Sequence, residues 1–420
     1  MQTFIGFKDA LDLTLSNVSV GKSEFLPLGL LTGKILAEDV IARVDCPSIS
    51  SSRKDGYAVV ASDLTQASEQ NPVLLKVHGS LSAGDRRQLK IHRGQTVRVT
   101  TGAPLPEGAD AVLSEEFCRS QAENIIAFNT AEAGRNIQNR ARDIRKGETV
   151  AGKNMRLHPA LIGLLAAAGL DAVAVFRSPR VAVIATGDEV VSPGKPLLGG
   201  QLYASNMVEI CSWLSQFGLP YKKELVPDCR QTIKKAITKN LPDVDIFLTS
   251  GGAWGSERDL MLDVVSGLNW QGIYHRVRMG PGKPVGFGLL DKKPFFCLPG
   301  GPPSNEMAFL QLALPALLKM QGHHPFFFPL TSARLAAAVY GRKEWTDFIH
   351  ARLENRKNKL WVHPARLKSA LRSMAEKEAL IIIPEDREKI AAGETIELQL
   401  LSPDYLKSFP NRKNMLTTIY

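Results

Sequence analysis

Arg180-Val-Ala-Val-Ile-Ala185 runs directly into Thr186-Gly187-Asp188-Glu189. From Val181 the run is apolar, β-rich in type and of strand length, which suits a strand buried on both faces. The next four residues set a hydroxyl, a glycine and two carboxylates at the strand's carboxyl end, where open α/β sheets bind ligands. The pattern returns downstream. Residues 244–248 lead into Thr249-Ser250-Gly251-Gly252, and two further glycine turns follow, Pro281-Gly282-Lys283-Pro284 and Leu298-Pro299-Gly300-Gly301-Pro302. Such turns free backbone N–H groups and let them approach a ligand closely. The chain reads as built to hold an oxyanion or a phosphate-bearing small molecule.

Outward from that stretch, strands alternate with helices across residues 179–321. Helices are expected over 206–217, 231–239 and 307–320, which implies a mainly parallel sheet. Upstream, apolar spacing predicts an amphipathic helix over 4–15, and the same pattern continues over 26–41. Between about 44 and 144 short alternating segments such as 73–77 and 95–99, separated by Gly and Pro, indicate an inserted β-rich module. Leu157-His158-Pro159 opens a helix through Ala168, with proline near its first turn and Gly169 as its cap. Beyond His323-His324-Pro325, strands at 379–384 and 395–401 predict a small β domain, and the polar end from Lys407 to Tyr420 is expected to be mobile.

The 420 residues imply several domains. Lys+Arg 52 against Asp+Glu 42 gives a net charge of +10, which fits a solvated basic surface or attraction of an anionic substrate. Zinc-finger spacing, an RNA-recognition motif and aromatic-interleaved basic stretches are all missing, so nucleic acid is not the expected partner. The five scattered cysteines, without CxxC, fit reduced thiols in the cytoplasm. No signal-peptide pattern opens the chain, and the longest apolar stretch, 160–170, is too short for a bilayer. Nothing resembles HExxH, a nucleophile elbow, GxGxxG or a P-loop, which sets aside zinc hydrolysis, Ser/His/Asp chemistry and the usual nucleotide folds.

Each motif also has a plainer reading. Thr186 and Asp188 could cap a helix. The Ser250 loop could be a simple strand-to-helix turn, and Pro281–Pro284 a rigid surface turn rather than a mount for the Lys283 charge. Residues 298–304 could be a helix entry with proline, or a phosphate cradle at a helix start. The charge run from Arg135 to Lys146 could be a solvated face.

Taken in order, the motifs resemble the MoeA family of molybdopterin molybdenumtransferases, whose module gephyrin carries as its E domain. The ordered set is Asp55-Gly-Tyr-Ala58, Thr101-Gly-Ala-Pro-Leu-Pro-Glu-Gly108, Gly134-Arg-Asn-Ile137 with Asp143, Thr186-Gly-Asp-Glu189, Ser205-Asn206, Asp228, Ser250-Gly-Gly252 with Asp259, Pro281-Gly-Lys-Pro284 and Leu298-Pro-Gly300. The resemblance implies a multidomain α/β and β fold. A helical linker domain would take residues 1–43 and 145–178, an inserted β-rich lid 44–144, and a central MoaB/MogA-like α/β domain with a parallel-rich sheet 179–326. A small C-terminal β domain would take 327–403, and a mobile tail 404–420.

It implies insertion of molybdate into adenylylated molybdopterin with Mg²⁺ and release of AMP, in a cytoplasmic homodimer with a shared cleft. Glu189, Asp55 and Thr101 would be catalytic. Asp143, Thr186, Gly187, Ser205, Asn206, Asp228, Ser250, Gly251, Gly252, Asp259, Lys283, Pro299 and Gly300 would bind substrate, and Glu189, Asp228 and Asp259 would hold the metal. Transient partners would be a molybdopterin adenylyltransferase and molybdoenzyme chaperones. The alternatives are a paralogue that binds the pterin without turnover, as scaffold or carrier, and a tungstate-preferring insertase. The sequence departs from the family pattern at Arg53-Lys54, Gln138, Ala204, Trp254, Gly280 and Gly301; Arg53 and Lys54 are the candidates to replace positive charge missing at Gly280 and Gln138.

Overall fold

A computed structural model describes residues 1–251, 260–325, 328–357, 359–365 and 369–401. The chain divides into two compact units, one formed by residues 1–24 with the chain from 176 onward, the other by residues 25–175.

In the first unit, twelve strands form one connected sheet system: β1 (Gln2–Gly6), β2 (Val181–Thr186), β3 (Tyr221–Val226), β4 (Ile246–Ser250), β5 (Trp270–Gly280), β6 (Gly286–Leu290), β7 (Lys293–Leu298), β8 (Leu330–Leu335), β9 (Thr346–Arg356), β10 (Lys359–Pro364), β11 (Ala379–Ile383) and β12 (Thr395–Leu400). The spatial order is β3-β2-β4-β7-β6-β5-β9-β10-β8-β12-β11. The stretch β3-β2-β4-β7 is parallel throughout, as the alternation of strands and helices requires. At the other end β9 pairs with both β10 and β11, which closes β8–β12 into a small barrel.

The central strands alternate between two apolar cores. Val181, Val183 and Ala185 face one, with Leu248 and Phe296; Ala182 and Ile184 face the other, with Phe247 and Phe295. Burial on both faces explains why these strands read as unbroken apolar runs. The first core is covered by α1 (Phe7–Ser16), α2 (Ser205–Gln216) and a long helical segment, and the second by α3 (Arg230–Asn240) and α4 (Leu260–Ser266). The long segment is α5 (Pro302–Ala308), a π turn over Phe309–Ala313 and α6 (Leu314–Met320). Pro315 has no N–H to give to Gln311, so the regular ladder is interrupted there. A last helix, α7 (Ala370–Glu376), lies in the barrel region.

The helix expected over 4–15 begins later. Residues 2–6 are extended because they pair in parallel with β5, Gln2 opposite Tyr274 and Gly6 opposite Arg278. The second unit corrects the helical reading of 26–41: that stretch holds the end of a strand (Ser23–Pro27), a 3₁₀ turn (Leu28–Leu30) and a two-residue strand (Val40–Ile41). Pro27, Gly29 and Gly33 break the ladder there, and the apolar residues Leu31, Leu36 and Val40 pack against Leu157, Leu161 and Val173 without helical geometry. The unit's main sheet has six strands, ordered Ala111–Ser114, Gly56–Val59, Gln95–Val99, Val73–Leu81, Asn124–Ala127, Cys118–Gln121. Its helix is Pro159–Ala167, where the His158 ring accepts the Leu161 N–H at 3.3 Å. No helix among the described residues is long and apolar enough to cross a membrane.

Candidate active site

Four parallel strands end at one edge of the sheet. Thr186 lies opposite Val226, Ala185 opposite Ser250, and Ser250 opposite Leu298, so the loops that follow leave side by side. Gly251 has φ +101°, and a Cβ on it would stand 2.6 Å from the Thr186 carbonyl oxygen. Only a residue without a side chain lets the two strand ends pass this closely.

One half of the site is acidic. Asp188 Oδ1 accepts the Asp228 backbone N–H at 3.0 Å, and the Thr186 hydroxyl bonds the Asp228 carboxylate. Partial burial, followed by the charges of Asp188 and Glu189, still holds the Asp228 carboxyl above its ordinary range. Thr186 and Gly187 are buried at the strand end, whereas Asp188 and Glu189 are exposed. Among the described residues no three His, Cys, Asp or Glu side chains converge closely enough to chelate an ion unaided. The donor set fits Mg²⁺, which takes one or two carboxylates and completes its shell with water and substrate phosphate. Glu189 and Asp228 are the residues that could hold it. Asp259, expected beside them, lies outside the described residues, as do Gly252 and Trp254.

The other half is held by amides. Asn206, in the first turn of α2 after exposed Ser205, donates to the Gly300 carbonyl at 2.7 Å and reaches Ser250 Oγ at 3.4 Å. Asn305, 2% exposed, donates to the Pro299 carbonyl at 2.7 Å and to Ser250 Oγ at 3.1 Å. Two asparagines thus fix the Ser250 loop and the 299–301 turn to each other. Sequence reading stopped one residue short of Asn305; its signal is a poor helix former immediately after Pro302-Pro303-Ser304.

Lys283 leaves the same sheet edge, since Gly286 lies opposite Cys297. Its ammonium rests 5.4 Å from the Phe4 ring centre and 5.8 Å from that of Trp345. Beside it opens a cleft of about 370 Å³ lined by Gly280, Pro281, Tyr340, Arg342 and Asp347. The Arg342 guanidinium lies 3.7 Å over Trp345 and is clamped by Asp347, with Nη2 to Oδ1 at 2.6 Å and the Arg342 N–H to Oδ2 at 2.8 Å. Gly280 sits opposite Asp347 in register, and a Cβ there would fall inside the guanidinium. The cation that stands beside Gly280 is therefore Arg342, a residue no local pattern could have connected with it.

In the second unit Asp55 and Thr101 meet. Asp55 Oδ1 accepts the Thr101 N–H at 2.6 Å and its hydroxyl at 2.9 Å, and these bonds, the backbone one first, hold the Asp55 carboxyl below its ordinary range. Both residues are exposed. Asp143 is exposed on another turn, where its N–H bonds the Cys46 carbonyl at 2.9 Å.

Three family models match the chain: the MoeA N-terminal region (domain I and II) over residues 5–169, a probable molybdopterin binding domain over 182–319, and the MoeA C-terminal region (domain IV) over 332–401. The molybdopterin molybdenumtransferase of Haemophilus influenzae is 31% identical over 388 residues, 90% of this chain and 94% of its own. Molybdopterin molybdenumtransferase 2 of Mycobacterium tuberculosis is 31% identical over 379 residues, 89% of this chain and 94% of its own. The crystal structure of a molybdopterin biosynthesis MoeA protein from Pyrococcus horikosii matches with a TM-score of 0.84 at 33% identity, over 95% of this chain and 99% of that one.

Proposed function

The chain belongs to the MoeA family, and from that premise we propose that it is a molybdopterin molybdenumtransferase, inserting molybdate into adenylylated molybdopterin with release of AMP. The observation that carries this reading is the meeting of a carboxylate cluster with amide-fixed hydroxyl and glycine loops at the ends of β2, β3, β4 and β7. An adenylylated pterin presents phosphate oxygens and N–H donors, and the two halves offer complementary groups. The Ser205 and Ser250 hydroxyls and the N–H groups of Gly187 and Gly300 suit phosphate and oxyanion oxygens, while the Gly251 N–H is taken by the Leu298 carbonyl at 3.3 Å and the Thr186 hydroxyl by Asp228. Asp228 suits the pterin N–H groups. Lys283 adds a fixed positive charge for the dianion, with Pro299 shaping the turn.

Mg²⁺, when bound, would neutralise phosphate charge and polarise a phosphoryl oxygen. Glu189 and Asp228, with Asp259, are the residues proposed to hold it, and Glu189, exposed in the turn after β2, is proposed to orient a water. Asp55, Thr101 and Asp143 are proposed to complete the cleft from the partner protomer of a homodimer; the bonds from the Thr101 N–H and hydroxyl to Asp55 support those two acting together. Handover from a molybdopterin adenylyltransferase and to molybdoenzyme chaperones, in the cytoplasm, completes the reading; the five free cysteines fit a reducing compartment.

Purified protein given adenylylated molybdopterin, Mg²⁺ and molybdate should release AMP. Absence of AMP with both molybdate and tungstate would overturn the enzyme reading, and tight pterin binding without AMP would favour a carrier. Glu189→Gln should lower turnover by about 100-fold or more with an unchanged melting midpoint; unchanged turnover removes Glu189 from the catalytic set.

A further inference from the structure

One turn of helix behind the site loops faces two ways. Asn305 and Glu306 are consecutive on α5, so their side chains leave the helix about 100° apart. Asn305 reaches the Pro299 carbonyl and Ser250 Oγ. Glu306 reaches the C-terminal barrel. Its side chain is wholly buried, and its carboxylate meets His350 Nε2 of β9 at 3.1 Å and the ammonium of Lys377, the residue that follows α7. The Lys377 side chain is only 7% exposed and also donates to the Met374 carbonyl at 2.7 Å. Further along the same helical segment, buried Gln311 in the π turn donates to Oε1 of buried Gln399 on β12 at 2.8 Å. The segment is thus joined to the barrel by polar contacts at two levels, and to the site loops by Asn305.

A buried carboxylate–ammonium pair is a costly way to join two elements. Desolvation of both ions offsets most of their attraction, and apolar side chains of similar volume hold as well or better. What the pair adds is direction. Apolar side chains tolerate a helix that slides or rotates, whereas a carboxylate bonded on two sides admits one register. α5 is seven residues long and runs into the π turn, so its own ladder does little to fix its place. Any rotation of α5 carries Asn305 with Glu306, and the Asn305 bonds at 2.7 and 3.1 Å have little room to lengthen.

We infer that Glu306 is a positioning residue: bonded to His350 and Lys377 of the barrel, it sets the register of α5, so that Asn305 holds the Ser250 loop and the 299–301 turn in the geometry that receives the substrate. Glu306 does not touch the substrate and acts through Asn305. The inference rests on the functional reading only for its turnover readout, since the coupling of barrel to site loops is a property of the free protein.

The test compares wild type with the double variant Glu306→Met, Lys377→Met, which removes both charges and leaves neither ion unpaired. Its melting midpoint should equal or exceed that of wild type. Hydrogen exchange in the free protein should nevertheless be about tenfold faster in segments 246–251 and 298–306, with β2 unchanged, as a local loosening predicts. In turnover, KM for the pterin should rise about tenfold with kcat held, the mark of lost ground-state binding. Wild-type exchange in those two segments would overturn the inference, and so would a lowered midpoint with faster exchange throughout the unit, because the pair would then serve stability alone. Faster exchange confined to the two segments, with no AMP formed by either protein, would keep the positioning role and reject the enzyme reading. Unchanged exchange with AMP formed by wild type would do the reverse. Should the double variant fail to fold, Glu306→Gln, which keeps an acceptor for His350, takes its place: the same segments should exchange about threefold faster than β2 relative to wild type, and a ratio equal to that of wild type would overturn the inference.

Discussion

Asn305→Ala offers the sharpest probe of how the site is held. The amide is 2% exposed and gives two bonds, to the Pro299 carbonyl at 2.7 Å and to Ser250 Oγ at 3.1 Å. Ser250 retains Asn206 at 3.4 Å, so the group left without a partner is the buried Pro299 carbonyl. Leaving such an acceptor unmade costs about 1–3 kcal/mol, and the vacated volume adds about 1 kcal/mol. The sum is about 2–4 kcal/mol, a large share of an ordinary domain's stability. Asn305→Asp separates the two contributions. It keeps the volume but turns a carboxylate oxygen toward a carbonyl oxygen in a buried setting, and it should cost at least as much as alanine, about 3–5 kcal/mol. Denaturant midpoints at constant m give both values. The expected order of stability is wild type, then Ala, then Asp, with pterin affinity falling in the same order. An Asp variant closer to wild type than Ala would refute the reasoning, because it would mean that volume and not donation fixes the turn.

Two other predictions follow from the same geometry. Asp228→Asn should gain on the order of a few tenths of a kcal/mol at neutral pH, after discounting for solvent screening, while weakening Mg²⁺-dependent pterin binding. The sign is set by the raised Asp228 carboxyl: its ionic form loses stability as pH rises through the folded value, so the advantage of Asn should vanish at about pH 3, where the aspartate is protonated anyway; a gain equal at both pH values would contradict this. Gly280→Ala should displace Arg342 and break its Asp347 clamp, with a melting midpoint lowered by a few degrees, at about 1–2 kcal/mol. Adding Arg342→Ala should recover most of that loss in a double-mutant cycle, and simple additivity would rule out the steric account.

Much of the α/β unit was legible because its signals are local. Strands buried on both faces read as apolar runs, and Thr186, Ser250 and Leu298 close those runs in the sequence as they do in the sheet. The proline-led helix at 159 was legible for the same reason. Residues 4–6 and 26–41 were not. Their apolar spacing satisfied a helical period, but what decided them was pairing with residues 274–278 in one case and glycine and proline interruption in the other.

The sequence by itself determined which chemical groups stand at the strand ends, since strand period and turn composition are properties of short stretches of chain. Only tertiary structure decided which groups hold them: Asn305 under Ser250, Arg342 beside Gly280, and Glu306 against His350 and Lys377. Those contacts join distant parts of the chain, and their strength comes from exclusion of water, which exists only once the sheet, helices and barrel have packed together.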